Sequence, residues 1–253
     1  MNILEKILNV KRQEIQQIKD FEFGEMAGQN RSLKDALSKP GISVIAEIKM
    51  KSPSEGEIFP YADPAHIAKG YESAGAAAIS VLTDQSFFGG SLDILKSVRN
   101  AVSIPVIRKD FIIDQKQISE TIHYNGDAFL LIADALDQDS LQQLMNIGEM
   151  AGLEFLVEYH AEKHAEFIFA LNPEIVGINC RNLKTMATDI TYFEKMISSL
   201  PSNSVKVAES GIHTSDDLEY VSDLGYDAAL IGTSLMKTGN PKKSLKTLLG
   251  EIS

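Results

Sequence analysis

Residues 43–54 read SVIAEIKMKSPS. The first six are the short, apolar, β-branched run of a buried strand, and the end carries Glu47, Lys49 and Lys51 within five residues. Strand side chains alternate between faces, so Ser43, Ile45, Glu47 and Lys49 share one face and Val44, Ala46 and Ile48 the other. Glu47 and Lys49 then stand about 6–7 Å apart along the strand. Charges placed there are costly unless paired or used. One reading is an ion pair that merely neutralises itself. The other is a functional rim at the strand's end, and the rest of the chain bears on the choice.

Seven further apolar runs end in polar residues: AAAISVLTD (76–84), IPVIRKD (104–110), AFLLIAD (128–134), EFLVEY (154–159), IVGIN (175–179), VKVAES (205–210) and AALIGT (228–233). The gaps between them each hold one helix and two loops. Asp63-Pro64 reads as a helix N-cap followed by proline at the first helical position, and Ser91 opens SLDILKSVRNAV. Leu141, Leu144 and Ile147 recur at helical spacing, as do Leu218 and Val221. A joint of helix, glycine and alanine-led strand recurs at Gly75, Gly126 and Gly225, a weak internal repeat. Strands alternating with helices imply a parallel sheet, and eight units imply a (β/α)8 TIM barrel, an α/β fold. A doubly wound open sheet is the alternative, but no G-x-G-x-x-G follows the first strand, which argues against a dinucleotide cofactor.

The chain of 253 residues suits one barrel domain spanning 1–253, with residues 1–40 as a helical extension. In that extension Ile3, Leu4, Ile7, Leu8, Ile15 and Ile18 form an apolar stripe, and a second short helix surrounds Leu33–Leu37. The extension reads equally as a plug on the closed end or as a cover over the open end. The composition is 44% hydrophobic and 23% charged, with net charge −11, which is ordinary for a globular protein and argues against nucleic-acid binding. No apolar run approaches the ~20 residues that span a bilayer. The N-terminus lacks the pattern of a signal peptide, and Cys180 is a single cysteine. These features lead us to expect a cytoplasmic protein, without membrane partners, that is a monomer or weak homo-oligomer.

Barrel enzymes place catalytic groups at the C-terminal ends of strands. Besides Glu47 and Lys49, the predicted strand ends supply Lys109, Glu158, Asn179, Arg181, Glu209 and Ser210. Acids, cations and an amide thus converge on one rim. AESG (208–211) and LIGTS (230–234) each set a glycine beside a hydroxyl residue. Loops after the last two strands commonly hold phosphate through backbone N–H groups, so these glycines read as a phosphate cradle or else as plain turn residues.

With these residues in view, the chain resembles the indole-3-glycerol-phosphate synthase family of tryptophan biosynthesis. The resemblance rests on EIKMKSPS (47–54), VLTDQSFFGGS (81–91), IRKDFIID (107–114), LVEYH (156–160), GINCRNL (177–183), VAESGI (207–212) and ALIGTSLM (229–236). It implies a barrel with extra N-terminal helices near the open end. The implied activity is the decarboxylative, dehydrative closure of 1-(2-carboxyphenylamino)-1-deoxyribulose 5-phosphate to indole-3-glycerol phosphate, carbon dioxide and water, by acid–base catalysis without cofactor or metal. By the same resemblance Lys109 is the acid and Glu158 the base, Lys49 and Glu47 contribute, Asn179 orients the substrate and Glu209 positions a lysine. Lys51, Arg181 and Ser52 would bind the substrate's anionic groups. Phe88, Phe111, Leu130 and Ile132 would face its aromatic ring, although each phenylalanine also fits ordinary core packing. Ser210, Gly211, Gly232 and Thr233 would hold the phosphate. The strand-six motif departs from the family's usual Asn-Asn-Arg-Asp pattern at Cys180 and Asn182, which implies altered hydrogen bonding in that loop, and Asp134 ends a run that is usually apolar.

Other candidates read more plainly. Glu158, His160 and His164 have a spacing compatible with metal ligation, but no third histidine or cysteine accompanies them, and a solvated helix face explains the histidines. Asp134 reads as a solvated strand-end acid. Cys180 has no activating base in view. A rival phosphosugar isomerase would need an acid–base pair but not three inward cations. A non-catalytic phosphate-binding barrel would have no use for both Lys109 and Glu158.

Overall fold

The computed structural model describes residues 2–19, 21, 30–53, 56–59, 62–182 and 185–251. Ser54 and Leu183, quoted in two of the motifs above, lie outside these. Eight parallel strands form a closed barrel: β1 (Ser43–Ile48), β4 (Ala78–Leu82), β5 (Val106–Lys109), β6 (Ala128–Ile132), β7 (Glu154–Tyr159), β8 (Ile175–Asn179), β9 (Val205–Glu209) and β10 (Ala228–Ile231). β1 closes the ring by pairing with both β10 and β4. A two-residue antiparallel ladder, β2 (Lys51–Ser52) with β3 (Gly56–Glu57), follows β1 outside the barrel. The chain is therefore a (β/α)8 TIM barrel.

Helices α3 (Pro64–Ser73), α5 (Leu92–Ala101), α6 (Gln115–His123), α7 (Gln138–Met150), α8 (Ala165–Leu171), α9 (Tyr192–Met196), α10 (Ser215–Asp223) and α12 (Pro241–Leu248) surround the strands. Short helices α4 (Gln85–Phe88) and α11 (Thr233–Met236) sit in loops. The caps follow the sequence: Asp63 caps α3 ahead of Pro64, Ser91 caps α5, and Thr214 with Asp217 forms a capping box on α10. Two of the three predicted helix–glycine joints use a left-handed glycine, Gly75 and Gly225. At the third the left-handed residue is Asn125, whose φ is 59°, one position before Gly126. Asparagine tolerates that conformation better than most residues with a side chain.

Strand parity separates two cores. Val44, Ala46, Ile79, Val81, Phe129, Leu131, Val157, Val176 and Ile178 face outward to the helices. Ile45, Ala78, Ile107, Ala128, Leu130, Leu156, Ile175, Val207, Ala228 and Leu230 fill the barrel. The interior is apolar at the bottom and becomes charged toward the C-terminal ends.

The N-terminal extension serves both ends. α2 (Leu33–Leu37) plugs the bottom, with Leu33 and Leu37 fully buried against the interior residues. Its surroundings are residues at the starts of strands: Ser32 Oγ and Lys34 N–H donate to the Glu154 carboxylate, and Arg31 N–H donates to Asp127. α1 (Ile3–Ile15) lies instead beside the mouth. Leu4, Ile7 and Leu8 pack inward, and Lys11 reaches Asp84 and Asp110, which follow β4 and β5. The plug and cover readings are thus divided between two helices.

Truncating the plug tests its weight. Leu37→Ala removes a fully buried side chain from the closed end, and we expect a loss of about 2–5 kcal/mol, read from urea unfolding. A loss under about 1 kcal/mol would mean that the bottom of the barrel does not depend on α2.

Candidate active site

The cavity opens at the C-terminal ends of the strands. Glu47, Lys49, Ser52, Phe88, Lys109, Phe111, Leu130, Ile132, Glu158, Asn179, Arg181, Glu209, Ser210, Gly211, Gly232 and Thr233 all line it. Of the residues expected to act on or bind the substrate, Lys51 alone does not. It stands exposed on β2, with its stem beside Gly89. Parity explains the rest: Glu47, Lys109, Glu158, Asn179 and Glu209 are the last inward-facing positions of β1, β5, β7, β8 and β9.

The charges form two bonded groups in one cavity. Lys49 Nζ lies 2.8 Å from Glu47 Oε1. Lys109 Nζ donates to Glu158 Oε2 at 3.0 Å and to Glu209 Oε2 at 3.2 Å. Asn179 Nδ2 donates to Glu158 Oε1 at 2.9 Å, and the Asn179 side-chain oxygen accepts from Arg181 N–H at 2.9 Å. Glu47 therefore does take part in an ion pair, and its charge is also felt by Lys109 in the neighbouring group.

Two glycines make room for the acids. A Cβ on Gly177 would sit 2.4 Å from Glu209 Oε1, and one on Gly232 would sit 2.4 Å from Glu47 Oε1. Any side chain at either position would displace a carboxylate.

Burial sets the protonation pattern. It disfavours the Lys109 ammonium, but Glu158, Glu209 and Glu47 outweigh it and hold the group above the ordinary lysine range. Burial also pushes Glu209 well up, and the neighbouring Glu158 pushes it further. For Glu158, burial is outweighed by Lys109 and by hydrogen bonds from Glu209 and Asn179, so its carboxyl is held below the usual range. Two buried carboxylates around one ammonium do not ionise equally, and Glu209 is the one that keeps a proton longer.

The far wall is a turn of the kind that holds anions. Ser210 and Gly211 both adopt positive φ, 70° and 72°. Gly232 opens α11 without any side-chain cap, so the first N–H groups of that helix face the cavity unclaimed by side chains. Ser234 Oγ donates to the Ile212 carbonyl and ties the two loops together. Opposite, Phe88 and Phe111 stand 6.2 Å apart between ring centroids, above Leu130 and Ile132.

Two expectations outside the cavity need revision. Asp134 is not a solvated acid. The single turn after β6 folds it back, and its carboxylate accepts from the N–H groups of His160 and Ala161. His164 is not on a solvated face: residues 162–164 form a 3-10 turn that buries its ring, with Nε2 3.8 Å from Asp134. His160 Nδ1 is 2.8 Å from the Asn179 carbonyl oxygen. Cys180 is buried, and burial pushes its thiol up to about 11, which keeps it from acting as a thiolate at neutral pH. In the loop that departs from the family pattern, Asn182 accepts from Thr185 N–H, and the Cys180 sulfur lies under Gly211, where a Cβ would come within 2.8 Å.

Sequence reasoning missed Asp110, Leu82 and Leu230, which also line the cavity. The two leucines were accessible through the same parity that picked out Lys109. Asp110 points the other way from its strand: Oδ2 accepts from Thr83 Oγ1 at 2.7 Å and from Arg108 Nη2 at 3.1 Å.

A family model described as indole-3-glycerol phosphate synthase matches residues 4–248. Curated relatives bearing that name include one from Halalkalibacterium halodurans, 43% identical over 98% of this chain and 97% of its own. Another, from Geobacillus sp. strain WCH70, is 44% identical over 99% of this chain and 98% of its own. Solved structures with a similar fold include thiamine phosphate pyrophosphorylase from Pyrococcus furiosus, with a TM-score of 0.62 at 14% identity over 87% of this chain and 96% of that one. An N-acetylmannosamine-6-phosphate 2-epimerase from Clostridium perfringens has a TM-score of 0.62 at 13% identity over 87% of this chain and 97% of that one. At those identities the two structures speak to the barrel alone.

Asp110 gives the site a pH signature. Burial pushes its carboxyl up, but Arg108 and Lys11 outweigh burial and hold it at about 2. The folded value lies below the unfolded one of about 3.9, so the stabilisation is present above about pH 4 and is lost as pH falls toward 2. It amounts to roughly 2–3 kcal/mol. We expect Asp110→Asn to flatten the acid limb of the stability–pH curve between about pH 4 and 2. An unchanged limb in urea titrations would contradict the ionised, paired state of Asp110.

Proposed function

The chain belongs to the indole-3-glycerol phosphate synthase family, and from that membership we propose which of its residues perform the family's reaction. The reaction closes 1-(2-carboxyphenylamino)-1-deoxyribulose 5-phosphate to indole-3-glycerol phosphate with loss of carbon dioxide and water. It is a carboxy-lyase step of tryptophan biosynthesis. The observation that carries the residue assignment is the placement of the Lys109 ammonium between Glu158 and Glu209 at 3.0 and 3.2 Å, in a cavity that Phe88, Phe111 and the start of α11 also line.

The phosphate group carries about −1.5 to −2 at neutral pH. The Ser210–Gly211 turn and the Gly232–Thr233 helix start receive it through backbone N–H groups and hydroxyls. Lys49 and Arg181 receive the carboxylate, and Ser52 lies beside them at the mouth. Lys51, exposed on β2, contributes only at the entrance. Phe88, Phe111, Leu130 and Ile132 enclose the ring, and Asn179 orients the polar groups of the sugar chain.

Ring closure joins the carboxylate-bearing ring carbon to the ketone carbon. The carbonyl electron pair moves to oxygen, and Lys109 donates the proton that oxygen needs. Carbon dioxide then leaves, and the electrons of its bond restore the aromatic ring. In the last step hydroxide departs with a proton from one of the two lysines. Glu158, the carboxylate that Lys109 and its hydrogen bonds keep ionised against burial, removes a proton from the adjacent carbon. Glu209 holds Lys109 in place, and Glu47 does the same for Lys49. Exclusion of water from the barrel mouth strengthens each of these charge interactions. The reading includes a cytoplasmic setting and a monomer or weak homo-oligomer, in keeping with a single cysteine and a net charge of −11.

Lys109→Ala should lower kcat by about a thousandfold or more with the far-UV spectrum kept, followed by the growth of indole absorbance from the carboxyphenylamino substrate. Near-normal turnover would remove Lys109 as the acid. Glu158→Gln should lower kcat by about a hundredfold or more while KM changes little. A collapse of affinity instead would make Glu158 a binding group and leave the base elsewhere.

A further inference from the structure

The buried face of α1 carries one residue that the assignment above does not use. Leu4, Ile7 and Leu8 are followed at helical spacing by Lys11, which is only 3% exposed. Its ammonium is surrounded by three carboxylates: Glu14 Oε2 at 2.8 Å, Asp84 Oδ2 at 2.8 Å and Asp110 Oδ1 at 2.9 Å. A methionine would bury the same stem without the desolvation cost of a charge. The ammonium therefore contributes direction rather than simple adhesion.

The two strand-end acids it holds each hold something else. Asp84 is fully buried, and its Oδ1 accepts from Phe87 N–H at 2.6 Å and Phe88 N–H at 3.2 Å, capping α4. Asp110 Oδ1 accepts from Phe111 N–H at 2.8 Å. One ammonium thus joins the two carboxylates that fix the backbone of Phe88 and of Phe111, two neighbouring rings that line the cavity, 6.2 Å apart between centroids. Asp110 has further support from Thr83 and Arg108. The Asp84 Oδ2 atom meets Lys11 alone among the described contacts.

We propose that Lys11 is a positioning residue for ring recognition: through Asp84 and Asp110 it sets the placement of Phe88 and Phe111, and with it the fit of the substrate's carboxyphenyl group. This rests on the reading of those two phenylalanines as the ring wall. Lys11 itself touches no reacting atom. Without it Asp84 is a buried, uncompensated anion, which draws water or shifts α4 and carries Phe88 away from the ring.

The test compares a ligand that has the ring with one that lacks it, in the full chain. For Lys11→Met we expect KM for the carboxyphenylamino substrate to rise about tenfold or more, kcat to change less than about threefold, and the inhibition constant of ribulose 5-phosphate to stay within about twofold. Asp84→Asn keeps an oxygen to cap α4 but removes the charge that pairs with Lys11. It should shift the same ratio in the same direction, and it serves if Lys11→Met does not fold. A merely structural role would lower the melting temperature without separating the two ligands. Equal effects on both ligands, or a fall in kcat alone, would overturn the proposal. Phe88→Ala distinguishes the two layers of the argument. If it raises substrate KM while Lys11→Met and Asp84→Asn do not, the ring wall stands and the role of Lys11 falls. If Phe88→Ala leaves KM unchanged, the ring-wall reading itself falls.

Discussion

The constraint behind the whole site is the burial of unlike charges at the mouth of an otherwise apolar barrel. Lys109, Glu158 and Glu209 cannot be considered singly. Each carboxylate is almost fully buried and accepts from the same ammonium. A buried charge without its partner costs about 3–5 kcal/mol, so the three groups tolerate one another only in combination. The demand propagates outward. Gly177 has no side chain because Glu209 occupies that space, and Gly232 has none because of Glu47. Asn179 satisfies the free side of Glu158 and is itself held by the Arg181 backbone. The apparent irregularities along the strands are thus consequences of placing a few charges where water is scarce.

A second set of charges lies one residue out of phase with the first. Arg108 and Asp110 flank Lys109, and both point away from its carboxylate partners into a cluster with Thr83, Glu120 and Lys11. Strand parity therefore lets one short segment serve two polar assemblies. The inner one faces substrate, and the outer one fastens a helix that comes from the chain's beginning. The separation is as much a product of the pleat as the separation of the two apolar cores.

Much of this was legible in the sequence because two periodicities do most of the placing. Alternation along SVIAEIK, PVIRK, EFLVEY and VKVAE assigns an inward face, and the charged end of each run then has one direction to point. The helix caps at Asp63 and Ser91 were legible because capping is local chemistry. What escaped was non-local. Whether residues 1–40 sat at the top or the bottom could not be read from an apolar stripe, which records that a face is buried but not against what. The answer lay in polar partners far along the chain: Asp84 and Asp110 for the first helix, Asp127 and Glu154 for the second. Lys11 was visible as a charged residue continuing the Leu4, Ile7 and Leu8 spacing, yet only the fold shows which acids meet it. Asp134 and His164 were misplaced for a related reason. A tight turn reverses the direction that a strand end or a regular helix would have given them.

The pairing of β1 with both β4 and β10 also orders events during synthesis. β1 is the first barrel strand to leave the ribosome, and one of its two edges is completed by the last. At about 5–20 residues per second the nascent sheet carries that open edge for many seconds, and long-range parallel pairing is slow to form even afterwards. Through this interval an unpaired strand presents its N–H and C=O groups to any extended neighbour. The vulnerable moment of this protein therefore comes before its final helix is made, and it is set by how the ring is threaded rather than by the stability of the finished barrel.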